Sequence, residues 1–531
     1  MEMDLAHAPV DLHALAARLR SQVCIVGAGI AGLTLAHRLM RVGVSVTLLE
    51  AGGRHPDVSG DSDPFGAKLL VQSHAGTQEG RVRALGGSSL TWGGQLLSLP
   101  TDAAWPVPPL EFSEGAAGQV SPENASEFFK RHGLEQPKLL AHVSDLQPRM
   151  SRFLPFAERN MARTLGRQLR RSHTSRVVLH AAVTELLPEP GSERIAAVEI
   201  TLPDGRRLRV EADHVVLAAG TVETCRLLLA SRSAQPAGVG NQFGQVGLHL
   251  HDHLTLPAAE FSGGARRWIL EQLRPWVYRR RFGRQELFSL KLELPVPMQK
   301  RWRVEPAMAH VTIEEPEGFG IGALRSLLRA RQGGSIRRTP LRSAKEMPQA
   351  LADGMRFVYE ALVKHRRYVS DRAVVRLQIN AAQERESASR VLLSEDRDAR
   401  GVPRAVLAWG VSGEELRALT QFGTYFRIIL GGLGCPGEVR WHPGLMEQGE
   451  TAGELLRRDL TDARHLMGGA RMGTDPRTSV VDPELRVHGL ANLWIASLAV
   501  FPDGSAQLPT ETLLRLCERL ARRLQRELAV P

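Results

Sequence analysis

Val23-Cys24-Ile25-Val26-Gly27-Ala28-Gly29-Ile30-Ala31-Gly32, followed further on by Val46-Thr47-Leu48-Leu49-Glu50, is the stretch whose reading decides the fold of this chain. The first apolar run reads as a buried strand, the glycines as a tight turn, and the residues after them as a helix. The second run reads as another strand, ending in an acid. Gly27 permits the turn, Gly29 lets the backbone approach a pyrophosphate, and Gly32 lets the helix pack close to the sheet. Glu50 is placed to accept from a ribose hydroxyl pair. Strand, spacing and acid together predict a dinucleotide site. The acid favours an unphosphorylated ribose, which leaves FAD and NAD open.

At 531 residues the chain is long enough for two or more domains with ample core. It is 43% hydrophobic, and no long uncharged apolar run suits a transmembrane span. Met1 to Arg20 carries Asp4 and Asp11 and reads as a lead-in helix (Leu12, Leu15, Ala16, Leu19), not as a signal peptide. Cys24, Cys225, Cys435 and Cys517 lie far apart without metal spacing, which predicts reduced core residues in a cytoplasmic protein.

Charge is unevenly placed. From Arg266 to Lys345 there are 18 Lys or Arg against 7 Asp or Glu, a surplus of 11 that equals the net charge of the whole chain. Arg266-Arg267-Trp268 and Trp276-Val277-Tyr278-Arg279-Arg280-Arg281-Phe282 interleave aromatics with arginine. Such a segment suits peripheral contact with an anionic membrane or an acidic partner, although a solvated arginine face is the simpler expectation. No nucleic-acid motif accompanies the charge.

Motif blocks follow in order. Arg81 to Gly94 sets two glycine pairs around Ser88, Ser89 and Trp92, suited to wrapping a flat ring. Arg176 to His180, Ala196 to Ile200 and Leu208 to Val210 read as strands, with a Pro203-Asp204-Gly205 turn between the last two. His214 to Thr221 is a further strand ending in small residues, followed by a helix from Glu223 to Ser231. His465-Leu466-Met467-Gly468-Gly469-Ala470-Arg471-Met472-Gly473 is the richest block, and Leu508-Pro509-Thr510-Glu511-Thr512 leads into a final amphipathic helix, Leu513 to Leu528.

These blocks resemble, in order and over nearly the whole chain, the glucose-methanol-choline (GMC) family of FAD-dependent oxidoreductases. The likeness weakens between about Phe261 and Arg372. Gly86-Gly87-Ser88-Ser89 with Trp92-Gly93-Gly94 is similar to the sugar-oxidising branch that includes pyranose oxidase and sugar dehydrogenases. The resemblance implies a mixed α/β (α+β) chain: a discontinuous Rossmann-like FAD-binding domain of glutathione-reductase type plus a substrate domain on an antiparallel sheet. The expected division is 1–252 for the first part of the FAD domain, 253–440 for the substrate domain and 441–531 for the last part.

What the resemblance implies for chemistry is removal of hydride from an alcohol carbon to FAD while a base takes the hydroxyl proton. The first histidine of the family's HxxGTxRMG motif falls on His465, the expected catalytic base. Gly27, Gly29, Gly32 and Glu50 are expected to hold the adenosine half of FAD. Arg83, Gly86, Gly87, Ser88, Trp92 and Gly94 would line the flavin side, with Val183 by the adenine. Gly220, Glu223, Ser497, Pro509 and Thr510 complete the cofactor set. The expected substrate is a secondary alcohol of a sugar, glycoside or hydroxylated ring, and the electron acceptor is oxygen, a quinone or a redox protein.

Three departures from the family pattern stand out. Leu508 occupies the place of a second catalytic His or Asn, and losing such a donor costs roughly 3 kcal/mol of transition-state stabilisation, about a hundredfold in rate. Three readings follow: His310, Gln378 or Asn380 compensates, or the substrate needs only one base, or the chain is a natural-product tailoring flavoenzyme with atypical or non-redox chemistry, with a flavin-retaining binding protein as the rival class. Thr91 replaces the histidine that pyranose oxidases bond to FAD, so non-covalent FAD is expected. Ser497 stands where relatives carry Gly or Asp. His249-Leu250-His251-Asp252-His253 has a metal-like alternation, but a structural crossover is the expectation and no metal is called. Ser88 and Ser89 lack a nucleophile elbow.

Overall fold

The computed structural model describes residues 1–7, 11–56, 68–69, 74–78, 80–97, 124–279, 285–316, 332, 347–386 and 388–529. The apolar run Ser21–Val26 is the centre of an eight-stranded sheet, with Val23, Cys24 and Ile25 fully buried. Parallel to it lie Val46–Leu49 on one side and the end of Arg207–Leu217 on the other; Leu493–Ile495 pairs parallel to the latter. Ser175–Leu179 and Glu2–Asp4 extend the parallel part.

Arg207–Leu217 is one strand where the sequence predicts two. Its first half pairs antiparallel with Ile195–Thr201 and its second half parallel with Ser21–Val26, so the polar break at Glu211 and Asp213 marks a change of partner, not a turn. Gly205, at φ +84°, makes the expected turn.

The helix Ile30–Arg41 starts at Gly29 and buries Ala31, Leu33, Leu35, Ala36 and Leu39. It packs against Met161–Arg171 and against the C-terminal helix. That last helix spans Pro509–Leu528 and begins earlier than its apolar periodicity suggests, because Pro509 sits at the first helical position, where no N–H is needed.

The second sheet is antiparallel. Its order is Val439–Trp441, His253–Phe261, Val374–Ala382, Ala307–Glu314, Gln285–Glu293, Gln147–Phe153 and Gln95–Leu96. One face packs on a separate apolar core with the helix Gly413–Gly432, which a Ser412–Glu415 capping box starts. The other face looks back toward the first sheet, and the cavity described below lies there. A small third sheet pairs Arg390–Arg397 with Pro403–Ala408 and Lys68–Leu69. Among the described residues no helix is long and apolar enough to cross a membrane.

Candidate active site

A cavity of about 880 Å³ runs between the two sheets. Gly27, Gly29, Glu50, Val183 and Gly220 line one end, where the parallel strands finish. Arg83, Gly87, Ser88, Trp92 and Gly94 line its middle, and His465, Leu508 and the second sheet close the far end. Glu223, Ser497 and Thr510 also reach it. Gly32, Gly86 and Pro509 do not line it, and each has a packing reason instead.

A Cβ on Gly32 would sit 1.9 Å from the Gly27 carbonyl, so helix and turn can approach only with glycine there. Gly86, at φ +106°, donates its N–H to the Ala28 carbonyl and fixes the second glycine loop on the first. Pro509 starts the last helix. By contrast a Cβ on Gly29 or Gly220 would meet nothing within 4 Å except the cavity itself. Backbone held bare along a cleft that ends at a helix N-terminus is the cradle a pyrophosphate requires, so these residues fit FAD.

Glu50 has little freedom. Its two oxygens accept from the Ala28 and Gly52 N–H groups, each at 2.9 Å. Burial raises its pKa, and those two bonds oppose the rise. Glu223 is held by Arg81 at 2.6 Å and Arg226 at 3.1 Å, and Arg226 continues to Asp398 at 2.7 Å. That chain of charges ties the loop at 81 to the helix Thr221–Ala230 and to the third sheet. Trp92 donates from Nε1 to the Arg159 carbonyl at 2.8 Å, and Ser497 Oγ accepts from the Ala499 N–H.

At the far end the protonation pattern of His465 follows from its neighbours. His253 Nε2 lies 2.9 Å from the Gly504 carbonyl, which can only accept, so that nitrogen carries the hydrogen. In its uncharged form His253 then presents a lone pair at Nδ1, 3.1 Å from His465 Nδ1. His465 therefore donates from Nδ1 and keeps its Nε2 lone pair. Burial, aided by the charge of His253 and opposed by Asp252, pulls the His465 pKa down to about 4. The ring is neutral at pH 7 and lines the cavity.

The backbone holding this ring is itself constrained. Asp252 accepts the His465 N–H with both oxygens, at 3.0 and 2.9 Å, and the His253 N–H at 2.6 Å. His74 Nε2 lies 3.3 Å from the same carboxylate, with both side chains fully buried. Burial alone would raise the Asp252 pKa, yet the neighbouring His74, His465 and His253 hold it below the usual carboxylate range. Asp462 accepts from Ala75, Gly76 and Arg464 N–H groups, and Arg464 adopts φ +61° immediately before His465.

Leu508 lines the cavity and packs on a small apolar cluster of Leu97, Met308 and Ala506. Its neighbour Gln507 turns away and donates to both oxygens of Glu293 at 2.7 Å. His310, Gln378 and Asn380, the residues expected to compensate for Leu508, all line the same cavity. Asn380 donates to Thr255 Oγ1 at 2.8 Å and receives Gln378 Nε2–H at 3.2 Å.

The His249-to-His253 run sends its rings to different surroundings. His249 Nδ1 lies 3.4 Å from Glu386, His251 Nδ1 lies 2.9 Å from the His249 carbonyl, and His253 meets His465. Asp252, His253 and His465 lie close enough for one cation, as do His74, Asp252 and Asp462. In the basic segment, Ala265, Ile269 and Trp276 are buried, and Arg366 covers the Trp276 ring at 4.2 Å. Its aromatics therefore face the core where they are described; residues 280–284, 317–331 and 333–346 lie outside the described residues. Sequence reasoning missed His74, Asp462, Arg464 and Lys291, all of which touch or support this end of the cavity. The Asp-x-Arg-His spacing of 462 to 465 was the available signal for two of them.

Residues 157–255 and 385–516 match the N- and C-terminal models described as GMC oxidoreductase. Residues 25–66 match an NAD(P)-binding Rossmann-like domain. The fructose dehydrogenase large subunit of Gluconobacter japonicus is 22% identical over 95% of this chain and 97% of its own. Pyranose 2-oxidase of Tricholoma matsutake is 46% identical over 50 residues, 9% of each chain. Paromamine 6'-oxidase of Streptomyces fradiae is 25% identical over 57% of this chain and 44% of its own. Among solved structures, pyridoxine 4-oxidase from Mesorbium loti superposes with a TM-score of 0.57 at 19% identity, covering 95% of this chain and 99% of that one. A formate oxidase variant from Aspergillus oryzae gives 0.56 at 16% identity, with 96% and 98% covered. Cleft, glycine cradle and the two family matches lead to one conclusion: the chain belongs to the GMC oxidoreductase family, FAD-dependent enzymes acting on CH–OH groups.

Proposed function

We propose that the protein oxidises a secondary alcohol of a sugar, glycoside or hydroxylated ring, with His465 as the base. The observation that carries this reading is the series Gly504 carbonyl, His253 and His465: against uncharged His253 the His465 ring donates from Nδ1, and the remaining lone pair belongs to a ring that lines the cavity. Bound FAD supplies the two-electron acceptor for the hydride. His465 Nε2 takes the hydroxyl proton, and the resulting imidazolium faces the Asp252 carboxylate, which opposes the effect of burial. Gln378 and Asn380 orient the hydroxyls of the ring from the sheet. Gly27, Gly29, Glu50 and Val183 hold the nucleotide, while Arg83, Gly87, Ser88, Trp92 and Gly94 flank the flavin.

Thr91 cannot form the histidyl bond, so FAD is held without a covalent link. The catalytic histidine belongs to the last stretch of an FAD domain divided as 1–252 and 441–531 around the substrate portion 253–440, with the strands Gln95–Leu96 and Gln147–Phe153 of the first part joining the substrate sheet. Four cysteines free of disulfides fit a reducing, cytoplasmic setting. The acceptor is oxygen, a quinone or a redox protein. Single-turnover incubation with polyols and product analysis tests the assignment: one equivalent of carbonyl product per flavin is expected, and intact alcohol refutes it. A second reading, a tailoring flavoprotein without net oxidation, draws on Leu508, which puts an apolar side chain on the cavity wall where a donor would serve.

A further inference from the structure

The strand Gln285–Glu293 places Phe288, Leu290 and Leu292 in the core behind the second sheet. Its other face carries Ser289, Lys291 and Glu293, at 5%, 2% and 3% exposure. Glu293 is satisfied there by Arg149 at 3.3 Å and by Gln507. Lys291 is not. Among the described residues its ammonium has neither a hydrogen-bond nor an ion-pair partner, and the side chain lines the cavity. Leu292 pairs with Ala309 and Glu293 with Met308, so the same register sets His310 opposite Lys291. His310 also lines the cavity, and its buried Nδ1 has no hydrogen-bond partner. Gln378, paired with His310 on the next strand, completes a polar row along that wall.

A cation taken out of water without a counter-charge is costly, and two adjacent nitrogens without partners are rarer than one. Nothing among the described residues relieves them. Burial alone brings the Lys291 pKa down to about 7, and burial together with the lysine charge pushes His310 well below its usual value. What relieves them must come through the cavity. We propose that Lys291 and His310 form an anion-recognising subsite, and that the alcohol oxidised at His465 carries a carboxylate, as in a sugar acid, a uronate or another hydroxy acid. The two oxygens of a carboxylate match the two neighbouring donors, the ammonium and the imidazole N–H. Lys291 then sets specificity by a charge that a neutral sugar leaves unpaired, which selects against neutral substrates as well as for acidic ones. This inference rests on the alcohol-oxidising reading for its substrate, but the subsite itself can be tested without turnover.

The experiment compares matched ligands, glucose with glucuronate and with glucose 6-phosphate, on the FAD-loaded wild type, Lys291→Met and Lys291→Arg. Thermal unfolding under each ligand reads binding, and anaerobic flavin reduction reads kcat and KM. Wild type should be stabilised more by glucuronate than by glucose. Its kcat/KM ratio for acid over neutral sugar should fall at least tenfold in Lys291→Met, through KM, with partial recovery in Lys291→Arg. Equal loss of kcat on both sugars would overturn the proposal and place Lys291 at the reacting hydroxyl. Preference for the phosphate ester over the carboxylate would overturn the carboxylate assignment. If no ligand reduces the flavin, alcohol oxidation fails, yet stabilisation by glucuronate that disappears in Lys291→Met still upholds the subsite. No ligand-dependent difference between the two proteins refutes it.

Discussion

Replacing His253 by leucine removes the acceptor that fixes the His465 ring. In the native site, with His253 uncharged, the order Gly504 carbonyl, His253, His465 leaves one arrangement of hydrogens, with the lone pair of His465 at Nε2. Without His253 the Nδ1 hydrogen of a buried ring is stranded, which costs about 1–3 kcal/mol. The ring escapes that cost by moving its hydrogen to Nε2, the position that must be bare to accept a proton. The competent tautomer is then disfavoured by the same amount, roughly a five- to 150-fold slower flavin reduction. A second effect shows at low pH. His253 helps to depress the His465 pKa, so its removal lets the acid limb of the rate profile rise from about 4. Anaerobic stopped-flow reduction at saturating alcohol, from pH 4 to 8, measures both; FAD content and the thermal midpoint check that the variant is folded. A fully loaded His253→Leu protein with the native rate and native pH profile would refute the tautomer argument.

Other consequences follow from the same geometry. In the proposed reaction the neutral form of His465 takes the proton, and its pKa is lowered; the reductive rate of the wild type should therefore stay level from pH 8 to 5 and fall to half near pH 4, as read by the same stopped-flow assay. Glu50→Gln turns an amide NH₂ toward one of the two N–H groups that the carboxylate accepts, costing about 1–3 kcal/mol; a lower thermal midpoint and faster FAD loss on dilution are expected. Gly32→Ala drives a methyl into the Gly27 carbonyl, and the protein should purify with little or no FAD. Acid precipitation of the wild type should release all of its flavin to the supernatant, whereas flavin in the pellet would contradict non-covalent binding at Thr91.

The nucleotide half of the fold was legible because its signals are local. A buried strand, bare glycines and an acid sit within one short stretch, and each constraint acts on its own backbone, as at Gly27 with φ +103°. Gly86 was read as a flavin-side residue from its motif, yet it packs on Ala28 instead, since sequence cannot tell a glycine that faces a ligand from one that faces another loop. Lys291 was illegible for a different reason. The alternation of Phe288, Leu290 and Leu292 with Ser289, Lys291 and Glu293 is what a half-solvated strand looks like, and only the approach of the first sheet turns its polar side into a cavity wall. His74 and Asp462 lie 388 positions apart, and their shared contact with the segment that carries His465 exists only after the chain has crossed between the sheets more than once.

The central claim is tested most directly by adding sugars, glycosides, sugar acids and cyclic alcohols to the oxidised yellow holoprotein without oxygen, with His465→Ala in parallel. The account predicts loss of the oxidised flavin band with at least one substrate class and a rate at least a hundredfold lower in the variant, which should still hold its FAD. Bleaching at equal rates in the two proteins would contradict His465 as the base, and a flavin left oxidised by every alcohol would contradict alcohol oxidation itself.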